Sequence, residues 1–489
     1  MPHYLGIDVG TSAVKAILVD ERQAAVAEAD VPLQVSRPHD LWSEQDPDIW
    51  WEAVQAALDQ LRTRSAAALA DIRGIGLSGQ MHGAVLLDEN DRPLRPAILW
   101  NDGRSFREAQ ELGDKYPELS HAMGVIPMPG FTAPKLVWLA RHEPEIFGAI
   151  RKVMLPKDYI RLKLTGEIVT EMSDAAGTWW LDEAERDWSD AALAATGLSR
   201  EQMPRLVEGS QPSGMVRADV AGRWGLRSDV VVAGGAGDAA AGAVGLGAIE
   251  DGSAFISLGT SGQLFVTTRD FSPAPEAVVH SFCHAVPGRW FQMAAMLNAA
   301  SCLAWGAQLL NRDIGELLHE TEAAYEKPSD VLFLPYLAGE RTPHNDPYAR
   351  GVFFGLSPQT HQTDLVQAIL EGVAFSFADA KQCLAQAGTP LTYAGMIGGG
   401  SRSVFWARIF ASVLDVPMLR YQGSDKGPAF GAARLARLAA TGEAVETVCK
   451  PPSILETIEP EPRLVDLYRP RIEAYRNLYR ALKPEFVRA

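Results

Sequence analysis

Apolar and polar positions first fall into a pattern in His3–Asp20, where Tyr4–Asp8 and Val14–Val19 read as strands around a tight Gly-Thr-Ser turn. From Ser43 to Thr63 the period changes to that of a helix. Asp46 can cap it, Pro47 suits its first turn, and Ile49, Ala53, Ala56, Ala57 and Gln60 recur at helical spacing. Ile72–Leu77 then reads as a strand running into the loop SGQMHG. A second round opens with a strand at Val230–Ala233, a small-residue turn and helix at GGAGDAAAG, and a strand at Ala254–Leu258. Another Gly-Thr-Ser hairpin, GTSGQLFV, follows it. Later, Tyr393–Ile397 reads as a strand, Gly398–Ser401 as a glycine turn, and Val404–Leu414 as a helix, with Lys426–Ala433 leading into one more. GIDVGTSAVKAIL and ISLGTSGQLFV thus repeat one unit about half a chain apart, which predicts two related domains parting near Leu246–Gly252.

Length agrees with that division, because 489 residues exceed the roughly 250–300 that one core usually serves. Lys and Arg number 45 against 61 Asp and Glu, a formal charge of −16 that argues against a general nucleic-acid binder. Val230–Ile249 is apolar or small apart from Asp238, but its Gly and Ala content and central acid argue against a membrane span. Cys283, Cys302, Cys383 and Cys449 form no C-x-x-C pair and read as free thiols. With no basic and apolar leader at MPHYLGIDVG, the expected location is the cytoplasm.

No G-x-x-x-x-G-K-[ST] motif occurs, so a P-loop is excluded. The two Gly-Thr-Ser turns offer another way to hold phosphate: glycine lets backbone N–H groups approach an anion, and Thr11, Ser12, Thr260 and Ser261 add hydroxyls. One such turn alone is an ordinary hairpin turn. Two, each following an apolar strand, favour the phosphate reading. Asp8 either initiates its turn or holds Mg²⁺ through water, and the adjoining turn favours the second. Asp238, alone among small and apolar residues, either caps the next helix or takes the proton from an acceptor hydroxyl attacking a γ-phosphate. Gly235–Ala240 also fits a loose dinucleotide fingerprint. Asp238 would then face a pyrophosphate, and no acid ends a strand about twenty residues on, so a dehydrogenase is disfavoured. His280, Cys283 and His284 lie in one strand-like run without a second ligand pair, which predicts a structural role or one just behind the ligand-contacting residues, not a metal site. Trp50, Trp51, Trp179 and Trp180 read as packing, whereas Trp100 in LWNDGR is a candidate for contact with a sugar.

Along essentially its whole length the chain resembles the FGGY carbohydrate kinases, and among them the bacterial kinases of D-xylulose. The motifs, in order, are GIDVGTS, GLSGQMHG, LWNDGRS, PGFTAPKLVWL, LPKDYIRLKLTGE, SDAAGT, SLGTSG, HSFCHA, FLPYLAGERTPHNDP, GVFFGL, IGGGSRS and GPAFGAA. The resemblance implies an α/β chain of the sugar kinase/Hsp70/actin fold, with actin-like (ribonuclease H-like) domains at 1–247 and 248–489 facing an interdomain cleft. It implies ATP with Mg²⁺, a small sugar as partner, no membrane or nucleic acid, and relatives that are often homodimers. Carried onto this chain, it makes Asp238 the proton acceptor and Asp8 its catalytic companion, and sets Met81 and His82 against the sugar. Asp8, Thr11 and Ser12 match the first phosphate motif, with Lys15 where a basic residue can reach a phosphate; Gly259, Thr260 and Ser261 match the second, and Gly399, Gly400 and Ser401 the adenosine motif. One departure stands out: where relatives read Gly-Gly-Gly-Asp-Asn-Ala, Ala239 here replaces a side chain that could reach a sugar hydroxyl. The implied alternatives are a kinase of another ketopentose, alditol or deoxysugar, and an actin- or Hsp70-like ATPase with no use for Met81 and His82.

Overall fold

The computed structural model describes residues 1–422 and 427–486, so Lys426 lies outside the described residues. Near the N-terminus β1 (His3–Val9) turns antiparallel into β2 (Ala13–Asp20) and then β3 (Ala25–Pro32). Helix α1 (Pro47–Ala70) follows, with the Asp46 carboxylate accepting from Asp48 N–H. Next come β4 (Ile72–Gly79), parallel to β1, then β5 (Pro212–Met215) and β6 (Val231–Ala233). The resulting order is β5-β6-β4-β1-β2-β3, with Ala236–Gly237 continuing beside the end of β4. After α2 (Asp238–Leu246) the pattern recurs. Strands β7 (Ala254–Leu258), β8 (Gly262–Thr268), β9 (His280–Cys283) and β10 (Trp290–Met296) are antiparallel neighbours in the order β9-β10-β8-β7. Helix α3 (Gln362–Gln386) precedes β11 (Ala394–Ile397), which is parallel to β7; α4 (Val404–Leu414) leads to β12 (Met418–Tyr421). Helix α5 (Gly427–Thr441) and β13 (Ile454–Ile458) complete the second sheet, β9-β10-β8-β7-β11-β12-β13. Both sheets therefore share one core, an antiparallel three-strand meander joined to two parallel strands. This is the doubled α/β, actin-like architecture, and both Gly-Thr-Ser turns are hairpins within it.

Alternation along β1 explains its almost unbroken apolar sequence. Leu5, Ile7 and Val9 pack against Trp50, Val54 and Leu58 of α1, while Tyr4 faces Ala429, Phe430 and Ala433 of α5. The buried stripe of α1 runs through Trp50, Val54, Leu58 and Leu61, so it is rotated from the expected one; Ile49, Ala56 and Gln60 are only half-buried. Bulk decides this, because Trp50 and the leucines remove more apolar surface from water than the alanines can.

Helix α5 comes late in the chain yet packs on the first sheet. A Cβ on Gly6 would lie 1.9 Å from the Ala429 carbonyl oxygen, and one on Gly76 1.8 Å from that of Ala432. On the far side of α5, a Cβ on Gly431 would lie 1.8 Å from the Ala241 oxygen of α2. Backbone meets backbone on both sides of this helix. The four cysteines are free and buried, and among the described residues no helix is long and apolar enough to cross a membrane.

Gly76→Ala and Gly431→Ala are expected to cost about 3 kcal/mol each, since only backbone can yield. Gly242→Ala, with nothing within 4 Å of the added carbon, is expected to stabilise α2 by up to about 1 kcal/mol. Denaturant unfolding of the three variants checks this ordering, and equal effects would refute the packing argument.

Candidate active site

Strand register brings two acids together. Asp8 pairs with Ser78, and Ser78 with Ala236, so the carboxyl-terminal ends of three adjacent strands form one edge, beyond which Asp238 opens α2. Ligands of open α/β sheets gather at this edge. Asp8 is 9% exposed, and its Oδ1 has no hydrogen-bond partner. Burial pushes its carboxyl up to about 6, against the pull of the Ser78 hydroxyl and the Lys15 charge. Lys15 lies directly across the hairpin from Asp8 and is exposed. Asp238 is pushed up to about 7, by burial first and the Asp8 charge second; the Ala239 N–H, 2.7 Å from its Oδ1, opposes both. With its carboxyl raised in this way, Asp238 is poised to accept a proton near neutrality.

The chain just before Asp238 is fixed by a buried ion cluster that the sequence reading did not single out. Arg161 donates to the carbonyls of Ala233 at 2.6 Å and Gly234 at 2.5 Å, and the Ser173 hydroxyl accepts from Gly237 N–H at 3.2 Å. Asp158 lies 3.1 Å from Arg161 and 2.7 Å from Lys157, which also reaches Asp174 at 3.0 Å. All of these charged side chains are fully buried. The legible signal was Lys-Asp-x-x-Arg inside an otherwise apolar stretch, since charges are buried only when paired.

Three turns surround this edge. Gly259 and Ser261 of the second Gly-Thr-Ser turn, with Gly399 and Ser401, line a cavity of about 560 Å³ that ends at Asp238. On the other side of Gly259 and Gly399 a second cavity, about 830 Å³, takes in Thr260, Gly400, Leu318 and Phe405. Gly398 is left-handed (φ 85°), and the Ser401 hydroxyl donates to its carbonyl at 2.7 Å. Thr11 and Ser12 line neither space. The Thr11 hydroxyl is already engaged, donating to Gln80 Oε1 at 2.9 Å and accepting from the Trp100 indole at 3.0 Å. What the first turn leaves for a ligand is its backbone and the exposed Ser12 hydroxyl.

A narrow cavity of about 90 Å³ adjoins Asp238 and is lined by Met81, His82, Trp100, His280 and Arg341. His82 stacks on Phe131 with ring centroids 4.5 Å apart, and its Nδ1 donates to the Gly177 carbonyl at 2.6 Å. Ala239 lines both this cavity and the 560 Å³ one with only a methyl group. His280 shares no site with His284; it faces the narrow cavity, and neither ring nitrogen has a partner. Burial and the Arg341 charge lower its pKa to about 3, so it is neutral. His284 instead packs among Phe265 and Phe291, and among the described residues no cluster could hold a metal through His, Cys, Asp and Glu alone. Arg341 was not singled out either, since nothing but the GERTPH segment around it marked that loop.

The sequence pattern of the FGGY family of carbohydrate kinases matches the chain over residues 3–245 for its N-terminal domain and 254–440 for its C-terminal domain. The xylulose kinase of Escherichia coli (strain K12) is 49% identical over 483 residues, which is 98% of this chain and 99% of that protein. Among solved structures, a xyloylose kinase from Brucella ovis superposes with a TM-score of 0.95 at 51% identity, covering 99% of each chain. A gluconate kinase from Lactobacillus acidophilus superposes with a TM-score of 0.93 at 25% identity, covering 100% of this chain and 99% of that one. One backbone thus serves kinases named for different sugars, and the acceptor has to be argued from side chains.

The raised acids make a prediction about stability. A carboxyl whose folded pKa lies above its unfolded value destabilises the fold once pH exceeds the unfolded value. For Asp238 the loss develops from about pH 4 to about 7 and persists above it. Asp238→Asn is therefore expected to melt several degrees higher than the parent at pH 8 and to lose that advantage towards pH 4. Thermal unfolding across this range checks it, and an equal gain at both ends would refute the cause.

Proposed function

The chain belongs to the FGGY family of carbohydrate kinases, and from that premise we propose that it transfers the γ-phosphate of ATP to O5 of D-xylulose, forming D-xylulose 5-phosphate. The observation that carries the reading is the position of Asp238, where the 560 Å³ cavity beside the glycine turns meets the narrow cavity of Met81 and His82. A base at that junction can take the proton of an acceptor hydroxyl placed to attack a phosphate in the larger cavity. The named substrate of the half-identical relative supports D-xylulose, as do Met81 and His82. O5 of a 2-ketopentose is also the oxygen that closes its ring, so the acceptor is the open-chain keto form, and a narrow cavity suits a chain.

In this mechanism the sugar lies against Met81, His82 and Trp100 with O5 at Asp238. The carboxylate takes the O5 proton as the O5–Pγ bond forms and the bond from Pγ to the bridging oxygen breaks, releasing ADP. Backbone N–H groups at Thr11–Ser12 and Gly259–Ser261 hold phosphates, Lys15 adds a charge, and Gly399–Ser401 lie against the adenosine. The orphaned Oδ1 of Asp8 fits Mg²⁺ held through water, because this ion keeps most of its waters and uses few carboxylates. When bound, Mg²⁺ neutralises charge on the transferring phosphates. Residues 1–247 and 248–489 are the halves whose closure excludes water. The same reading places the enzyme in the cytoplasm and allows a homodimer; family likeness and four free cysteines support it.

Asp238→Ala should lower sugar-dependent ADP release about 10²–10⁴-fold. In the parent, kcat/KM for the sugar should rise with pH through an acid limb near 7, because only the unprotonated base works. A variant with full activity removes Asp238 from the role. A panel of D-xylulose, other ketopentoses, alditols and deoxysugars tests the acceptor: preference for one of the others gives the role to a different FGGY sugar, the outcome that Ala239 makes worth measuring.

A further inference from the structure

His82 holds an unusual backbone. Its φ is +67°, in the left-handed region that residues with a Cβ avoid unless surroundings enforce it. Here the enforcement is visible. The His82 carbonyl accepts two hydrogen bonds, from the Thr132 hydroxyl at 3.1 Å and the Lys135 ammonium at 2.7 Å. Both donors stand on the first turns of the helix Thr132–His142, and Phe131, just before it, stacks on the His82 ring. Lys135 is fully buried, and among the described residues it has no ion-pair partner; this one carbonyl is its hydrogen-bond acceptor. Burial pushes its amine well below the usual lysine range. An amine so desolvated is costly, and a methionine would fill the space without that cost. The arrangement therefore sacrifices stability for a position.

The ring is constrained as tightly. A carbonyl oxygen only accepts, so the 2.6 Å contact with Gly177 requires a proton on Nδ1. Burial keeps the ring neutral, and Nε2 is then left with a lone pair. A Cβ at position 177 would stand 2.4 Å from Nδ1, so the bare glycine is what lets the carbonyl reach it.

We infer that Lys135, with Thr132, is a positioning residue for the sugar: it pins the His82 carbonyl, holds the residue left-handed, and presents Nε2 to the acceptor as a hydrogen-bond acceptor for a hydroxyl. The inference rests on His82 facing the sugar and extends that reading to a residue outside the cavity.

The test is a double-mutant cycle read in kcat/KM for the sugar and KM for ATP. Lys135→Met should lower kcat/KM for the sugar about tenfold or more and leave KM for ATP within about twofold. In a His82→Ala background the same substitution should change kcat/KM by less than about twofold, because the ring that the pinned carbonyl serves to aim is gone. Equal losses in both backgrounds, or no loss in the parent, overturn the inference. Should Lys135→Met fail to fold, the parent protein still decides. Nitrogen-15 spectra of its histidines, with His82 assigned by its disappearance in His82→Ala, should show a protonated Nδ1 and a bare Nε2; a protonated Nε2 overturns it. The sugar used is whichever the parent accepts best, so rejection of D-xylulose counts against the proposed acceptor and leaves this test intact.

Discussion

The closeness of α5 to its neighbours is the constraint on which the rest of the molecule depends. Gly6 and Gly76 admit its backbone to one side, and Gly431 admits α2 to the other. Gly6 lies two residues before Asp8, and Ala241 three residues after Asp238, so both acid-bearing elements are gauged against the same helix. Interiors transmit small displacements because they are packed like solids. A spacer made of backbone, with no flexible side chain between the parts, therefore sets how far apart the two carboxylates stand, and with that how strongly the charge of Asp8 raises Asp238.

Around that gauge the protein arranges its polar groups in two opposite ways. The cluster of Lys157, Asp158, Arg161 and Asp174 is buried and paired, and its surplus donors clamp the carbonyls of Ala233 and Gly234. Asp8 and His280 keep buried polar atoms without protein partners beside the cavities, and Asp238 and Arg341 line them. Ion-paired charges build the frame, while those at the cavities form no ion pair among the described residues.

Much of this was legible in the sequence, and the failures have physical causes. Duplicated Gly-Thr-Ser hairpins, the strand ending at Asp8, the helix at Val404–Leu414 and the isolated Asp238 are local patterns, and the strands and helices read from them are present in the structure. The engaged hydroxyl of Thr11 was not legible, because its partners Gln80 and Trp100 come from distant segments. Nor was the face of His280: a strand residue shows which neighbours share its side, not whether that side meets a cavity or a core. Spacing marks α1 as a helix but not which face it buries, because the bulk of Trp50, Val54 and Leu58 decides that.

Helix α5 also fixes when the molecule can be finished. Its residues emerge from the ribosome about 350 positions after strand β4 and more than 400 after strand β1, both of which it covers. Until then the glycine-bearing face of the first sheet has nothing to lie against, so this half cannot mature before the other is almost entirely synthesised. Completion of the first half is therefore coupled to synthesis of the second, against the usual domain-by-domain order for a chain of this size.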